Sequence, residues 1–196
     1  ILRLPMAKQK ATKETKARKK EFFSPSSMDF IKRYLDNAAP TGFEVSGQKI
    51  WLDYLKPYID THLVDPYGTV VGIINPEAEF KVVIEAHADE ISWFVKYITN
   101  DGFIHVCRNG GSDHQIAPSM RVNIHTKKGI VRGVFGWPAI HVRTPQNEKK
   151  PETETIWIDV NCKNKKEVEE LGIEIGTVCT FTDGFEEGDN GYWIAR

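Results

Sequence analysis

Within the six residues Glu85-Ala86-His87-Ala88-Asp89-Glu90 the chain brings together an imidazole and three carboxylates. They come directly after the apolar run Val82-Val83-Ile84. Imidazole nitrogen is a good ligand for zinc-like ions. A histidine at the C-terminal end of a strand points into the crevice where open α/β sheets hold their ligands. Asp89 is near enough in sequence to accept a hydrogen bond from the other ring nitrogen, which would fix the tautomer and raise the basicity of the ring. The His-x-Asp spacing alone is weak evidence, and a structural or surface histidine satisfies it more readily. His62, His105, His114, His125 and His141 are scattered along the chain. His105 and His125 lie in alternating strand patterns that suit a satisfied or exposed ring. Asp113-His114 is carried by a loop, and Glu186, Glu187 and Asp189 read as a solvated turn. Cys107, Cys162 and Cys179 are odd in number, widely spaced and without a CxxC pair, which predicts buried free thiols rather than a metal or disulfide framework.

The elements that must position these groups follow from periodicity. Asp29 to Ala38 is predicted helical, with Phe30, Ile31, Tyr34 and Leu35 on one face, and is broken by Pro40-Thr41-Gly42. A second helix carries Val45, Ile50, Trp51, Tyr54, Leu55 and Tyr58. The period then shortens. His62 to Val64, Thr69 to Ile74 and Phe80 to Ala86 read as strands, separated by turns at Pro66-Tyr67-Gly68 and Asn75-Pro76-Glu77. The unbroken Val82-Val83-Ile84 predicts a buried strand with both faces covered. After Glu90 the pattern is mostly β. Ile91 to Ile98 and Phe103 to Arg108 flank the hairpin signal Asn100-Asp101-Gly102, and Arg121 to Thr126 and Ile130 to Phe135 flank Lys127-Lys128-Gly129. Ile156 to Val160, Val178 to Phe181 and Tyr192 to Ala195 are further strands, and Lys163 to Leu171 is a short helix ended by Gly172. The expected organisation is a basic leader over 1–27, the first part of an α/β domain over 28–90, an inserted β-rich domain over 91–182, and a return to the α/β part over 183–196.

A composition of 40% hydrophobic and 27% charged residues is that of a soluble globular protein. No stretch approaches the roughly 20 apolar residues that span a bilayer, and no signal core is present, so the expectation is a cytoplasmic protein that binds no membrane. Residues 1–21 hold eight basic groups against Glu14 and Glu21, although the whole chain is at −1. A basic tail invites a nucleic-acid reading. It carries no aromatic residue before Phe22, however, and the favoured reading is a solvated leader with no nucleic-acid partner.

Several segments, taken in order, carry a resemblance. Val83 to Ile91, followed by Phe94-Val95-Lys96-Tyr97-Ile98, is similar to the metal-binding strand of the tetrahedral aminopeptidases. That family includes glutamyl, leucyl and lysyl aminopeptidases, and some members have been labelled endoglucanases. Ala39-Pro40-Thr41-Gly42-Phe43-Glu44 resembles its Pro-x-Gly-x-Glu turn, and Asp65-Pro66-Tyr67-Gly68-Thr69-Val70 its Asp-x-x-Gly-Asn-Val. Asp101-Gly102-Phe103, Gly110-Gly111 and Gly136-Trp137-Pro138-Ala139-Ile140-His141 resemble its hairpin, its Gly-Gly turn and its Pro-x-x-His loop. Asp159-Val160 and Glu167 to Gly176 resemble a later strand and helix. The ordered set runs from about Met28 to Arg196.

The resemblance implies an α/β metallo-aminopeptidase catalytic domain with a barrel-like β domain inserted after the first metal ligand. It implies removal of N-terminal residues from peptides with two divalent ions, zinc or cobalt, and a large self-compartmentalised homo-oligomer. His87 would be a ligand of one ion and Asp89 the catalytic residue that orients it. A water or hydroxide held between the metals would attack the scissile carbonyl, with a Glu taking the proton. In the family, the bridging Asp, the catalytic Glu pair, a further carboxylate and a last His follow the segment that matches Gly191 to Arg196. The chain is therefore expected to lack most of the metal ligands and to be inactive alone. The alternative is a non-catalytic assembly or scaffold paralogue that keeps the β domain. Glu90 is open between a place in the site and the first residue of the hinge into the inserted domain.

Overall fold

The computed structural model describes residues 23–145, 148 and 150–196. Most of the expected leader, residues 1–22, lies outside them. The first helix, α1, runs Pro25–Asp36 and so begins inside the expected leader, four residues before the predicted start. Its start is written in Ser24-Pro25. The Ser24 side chain accepts a hydrogen bond from Ser27 N–H, and proline at the first helical position gives up a donor that has no partner there anyway. Asn37 is already extended, which ends α1 before the predicted Ala38. Helix α2, Val45–Leu55, continues as a short 3-10 turn over Lys56–Tyr58. The two helices pack through Phe30 and Tyr54, whose rings stack at 4.1 Å. At this crossing Gly47 is buried, and a Cβ on it would touch Ala39 Cβ and the Asn37 side chain at 3.4 Å.

Strands β1 (Thr61–Val64) and β2 (Val70–Ile73) form an antiparallel hairpin. The turn between them is held by Asp65, whose carboxylate accepts from Tyr67 N and Thr69 N, with Gly68 at φ +87° supplying the left-handed residue. The expected third strand, Phe80 to Ala86, does not form. Residues 81–89 make no ladder, and Phe80, Val82, Val83 and Ile84 are 82%, 74%, 81% and 95% exposed. A strand needs a neighbour's N–H and C=O groups and a covering layer. Among the described residues no segment pairs with 81–86, so the apolar run keeps its β-type sequence without its partners.

The rest is a closed six-stranded barrel of order β3-β4-β7-β6-β5-β8, built from β3 (Ser92–Ile98), β4 (Ile104–Asn109), β5 (Arg121–Thr126), β6 (Gly129–Gly136), β7 (Trp157–Asp159) and β8 (Val178–Phe181). Closure comes from β3 pairing β8 through Trp93↔Cys179 and Phe94↔Val178. Alternation along each strand sends Trp93, Val95, Ile104, Ile124, Phe135 and Ile158 into a shared core in which none exceeds 1% exposure. Helix α3, Lys165–Glu170, is capped by Asn164 and buries Val168 against this core. The three cysteines are free, though only Cys179 is buried, and burial pushes its thiol up to about 12. His125 is satisfied by Thr180 Oγ1 at 2.9 Å, and burial, chiefly, lowers its pKa. Glu186 and Glu187 are not a plain solvated turn. They form β9, paired with β10 (Trp193–Ile194), and Glu187 reaches Lys32 of α1 at 2.9 Å. No described helix is long and apolar enough to cross a membrane.

Candidate functional site

The Pro40–Gly42 turn and the segment before the barrel lie side by side. Thr41 N–H donates to Glu90 O, and Glu90 N–H donates to Ala39 O, a parallel bridge that sets residues 39–41 against 89–90. This lateral register brings together what sequence spacing had linked only locally. His87 Nδ1 lies 3.0 Å from Asp89 O and 3.1 Å from Asp89 Oδ1. A carbonyl and a carboxylate can only accept, so Nδ1 carries the proton and the lone pair of the neutral ring is on Nε2. The imidazole is 85% exposed, which leaves Nε2 open to a ligand. On its far side Asp89 Oδ2 accepts from Thr41 Oγ1 at 2.6 Å. That bond, above all, holds the Asp89 carboxyl below the usual carboxylate range; desolvation opposes it and the His87 contact adds to it. Residues 86–89 line a shallow cavity of about 230 Å³ with Glu44, Gln48 and Tyr67 to Thr69. A larger groove of about 870 Å³ on the barrel, between Phe103, Arg121, Arg132 and Trp157, has no histidine or cysteine among its described lining residues.

Glu90 is engaged by the Ala39 turn and by Arg196. Its carboxylate accepts from Ala39 N–H at 2.8 Å and pairs with Arg196 Nε at 2.7 Å. Arg196 also donates to Asp183 O and Asp36 O, which ties the exit from the barrel to the end of α1. The side chains are only 10% and 18% exposed. Arg196→Ala should therefore cost about 2 kcal/mol, the scale of hydrogen bonds to charged groups. Urea unfolding checks this, and an unchanged midpoint would reduce the clamp to an ordinary surface pair.

The chemistry of the donor set tests the site against a metal. His87 is arranged as ligating histidines are, one ring nitrogen backed by a carboxylate and the other open. Among the described residues no group of three or more His, Cys, Asp or Glu is placed to hold an ion. A catalytic zinc takes about three protein ligands. The residues present thus fit one ligand and its orienting partner. His105, His114, His125 and His141 are not drawn in: His105 lies beside Tyr97, His125 on Thr180, and His141 in a short 3-10 turn (Ile140–Val142). Sequence reasoning singled out His87 and Asp89 but missed Thr41 as a partner; the tight Pro40-Thr41-Gly42 turn was the available signal, its neighbour in space was not.

A family model described as M42 glutamyl aminopeptidase matches residues 68–196. The chain belongs to the M42 aminopeptidase family. It is 29% identical over 160 residues to the lysyl aminopeptidase of Pyrococcus furiosus, covering 80% of this chain and 46% of that protein. Among solved structures, it is similar to a TET aminopeptidase from a marine-sediment Thaumarchaeota archaeon, at TM-score 0.79 and 28% identity, covering 84% of this chain and 46% of the other. An aminopeptidase from Desulfurococcus kamchatkensis matches at TM-score 0.74 and 32% identity over 82% and 44% of the two chains. The TET1 peptidase of Pyrococcus horikoshii, which can assemble into a tetrahedron or a large octahedral shell, shares the fold at TM-score 0.70 and 24% identity over 83% and 48%. The M42 chain thus spans less than half the length of these relatives. The α/β segment with its closed barrel is the fold of these aminopeptidases over the matched part of their chains.

Proposed function

We propose that this chain carries the first metal ligand of a metal-dependent aminopeptidase whose remaining ligands come from further residues of a longer polypeptide. The observation that supports this most directly is the His87–Asp89 pair, with Nδ1 engaged and Nε2 open at the mouth of a cavity. The exposed run Phe80 to Ile84 supports it from a second direction, because an uncovered apolar segment of strand-type sequence leading into the site asks for flanking strands. In this reading residues 28–90 begin the catalytic domain, 91–182 form the inserted barrel, and 183–196 lead back.

The chain's own residues have defined tasks. His87 presents Nε2 to one divalent ion. Asp89 fixes the tautomer and polarises the ring. Glu90 and Arg196 hold the end of the catalytic segment against the barrel exit. Two zinc or cobalt ions, when bound, would supply Lewis-acid polarisation of a scissile carbonyl and activation of water. The substrate class is peptides with a free N-terminus. Self-association into a large homo-oligomer belongs to the same proposal, by analogy with the Pyrococcus horikoshii peptidase.

The test is hydrolysis of leucyl-, glutamyl- and lysyl-anilides by the purified full-length protein, stripped with chelator and reloaded with zinc or cobalt. Activity that disappears on stripping and returns with metal is expected. The 196-residue chain alone should show none. A full-length protein that assembles yet hydrolyses nothing under any divalent ion would favour the non-catalytic assembly reading.

A further inference from the structure

The candidate ligand is not held by its own segment alone. Asn109, at the end of β4, donates from Nδ2 to Ser92 Oγ at 2.9 Å and to Thr41 O at 3.1 Å. Ser92 is 1% exposed, and its carbonyl accepts from the buried Ser112 hydroxyl at 2.6 Å, so Asn109 is anchored on the rigid barrel wall. Thr41, gripped at its carbonyl by Asn109 and at its N–H by Glu90 O, has its hydroxyl aimed at Asp89 Oδ2 at 2.6 Å. Asp89 then meets His87 Nδ1 with its other oxygen at 3.1 Å.

We infer that Thr41 is a positioning residue for the metal site, and that the barrel sets the orientation of His87 through the relay Asn109–Thr41–Asp89. The inference rests on His87 being a metal ligand. The carboxylate has two oxygens and two jobs, and the relay assigns one to each. With Thr41 Oγ1 holding Oδ2, the carboxyl plane cannot rotate freely, and Oδ1 stays on the ring nitrogen. Without that hydroxyl, Asp89 is free to turn toward water, and the 85%-exposed imidazole loses its only side-chain restraint among the described contacts. Partners that orient a ligating histidine in this way typically contribute about 10–100-fold in metal affinity. Thr41 acts through a carboxylate rather than on the ring, so the lower end, about 10-fold, is expected for its loss.

The experiment compares wild type, Thr41→Val, Thr41→Ser and His87→Ala as full-length protein. Cobalt(II) binding is followed by its visible absorption and melting temperature is read without metal. Valine keeps the shape and removes the hydroxyl; serine keeps the hydroxyl. About 10-fold weaker cobalt binding by Thr41→Val, near wild-type binding by Thr41→Ser, and an unchanged metal-free melting temperature are expected. Wild-type affinity in Thr41→Val while His87→Ala loses the metal would overturn the relay and leave the proposed function standing. Cobalt bound equally by His87→Ala, or not bound by the wild type, would overturn both. Equal weakening in the valine and serine variants would show a packing effect and also overturn the relay.

Discussion

Replacing His87 by alanine in the full-length protein should abolish the proposed metal-dependent peptide hydrolysis, the largest effect expected of any single substitution here. The imidazole offers Nε2 outward while Nδ1 is committed to Asp89, and alanine leaves neither a ligand nor a group that could substitute. Asp89→Asn should fall between wild type and His87→Ala. An asparagine Oδ1 can still accept from Nδ1–H, and the Thr41 hydroxyl can turn to accept from the new amide, so the geometry survives. What is lost is the charge that polarises the ring, a change that typically costs on the order of 10–100-fold in metal affinity or activity. Metal content and kcat/KM, measured together on the three proteins, give the ranking wild type, Asp89→Asn, His87→Ala. A fully active His87→Ala protein would place the site elsewhere.

Trp93→Ala should be the most damaging change to stability, at about 3–5 kcal/mol for emptying so large a buried side chain. Trp93 is 1% exposed at the β3–β8 seam that closes the barrel, and its ring meets Phe135 edge-on at 5.2 Å. Its indole N–H is buried without a hydrogen-bond partner among the described residues. Trp93→Phe removes that orphaned donor, whose burial costs about 1–3 kcal/mol, and leaves a much smaller void. It should therefore be far milder than alanine. Urea unfolding followed by circular dichroism measures both. A loss under about 1 kcal/mol for Trp93→Ala would mean the barrel closes without relying on this seam.

The barrel strands were the most legible part of the chain, because their code is local. Alternation and the hairpin residues at Asn100 to Gly102 and Lys127 to Gly129 specify strand, face and turn within a few residues, and Arg121–Thr126 and Val178–Phe181 emerge with the boundaries expected. The α1 start is equally local but is written in Ser24-Pro25, at the edge of the basic leader and before the apolar period that begins at Asp29. The apolar run Val82 to Ile84 shows the opposite limit. Its residues state a preference for a covered strand, yet a strand is made by its neighbours, and the described residues provide none. β10 lies within the strand expected over Tyr192 to Ala195, but its partner β9 was not legible for the same reason, since Glu186 and Glu187 are polar and owe their strand state to Trp193 and Ile194.

For the site, the sequence by itself determined that a histidine and an aspartate stand two residues apart after an apolar run, in an order of segments that resembles the M42 aminopeptidases. Tertiary structure alone decided what surrounds them. Thr41 and Asp89 are 48 residues apart in sequence, Asn109 and Thr41 are 68 apart, and Glu90 and Arg196 are 106 apart. No periodicity carries such pairings. They depend on how the Pro40 turn docks against the segment before the barrel and on where the barrel returns the chain, and those positions are set by core packing far from the groups that come into contact.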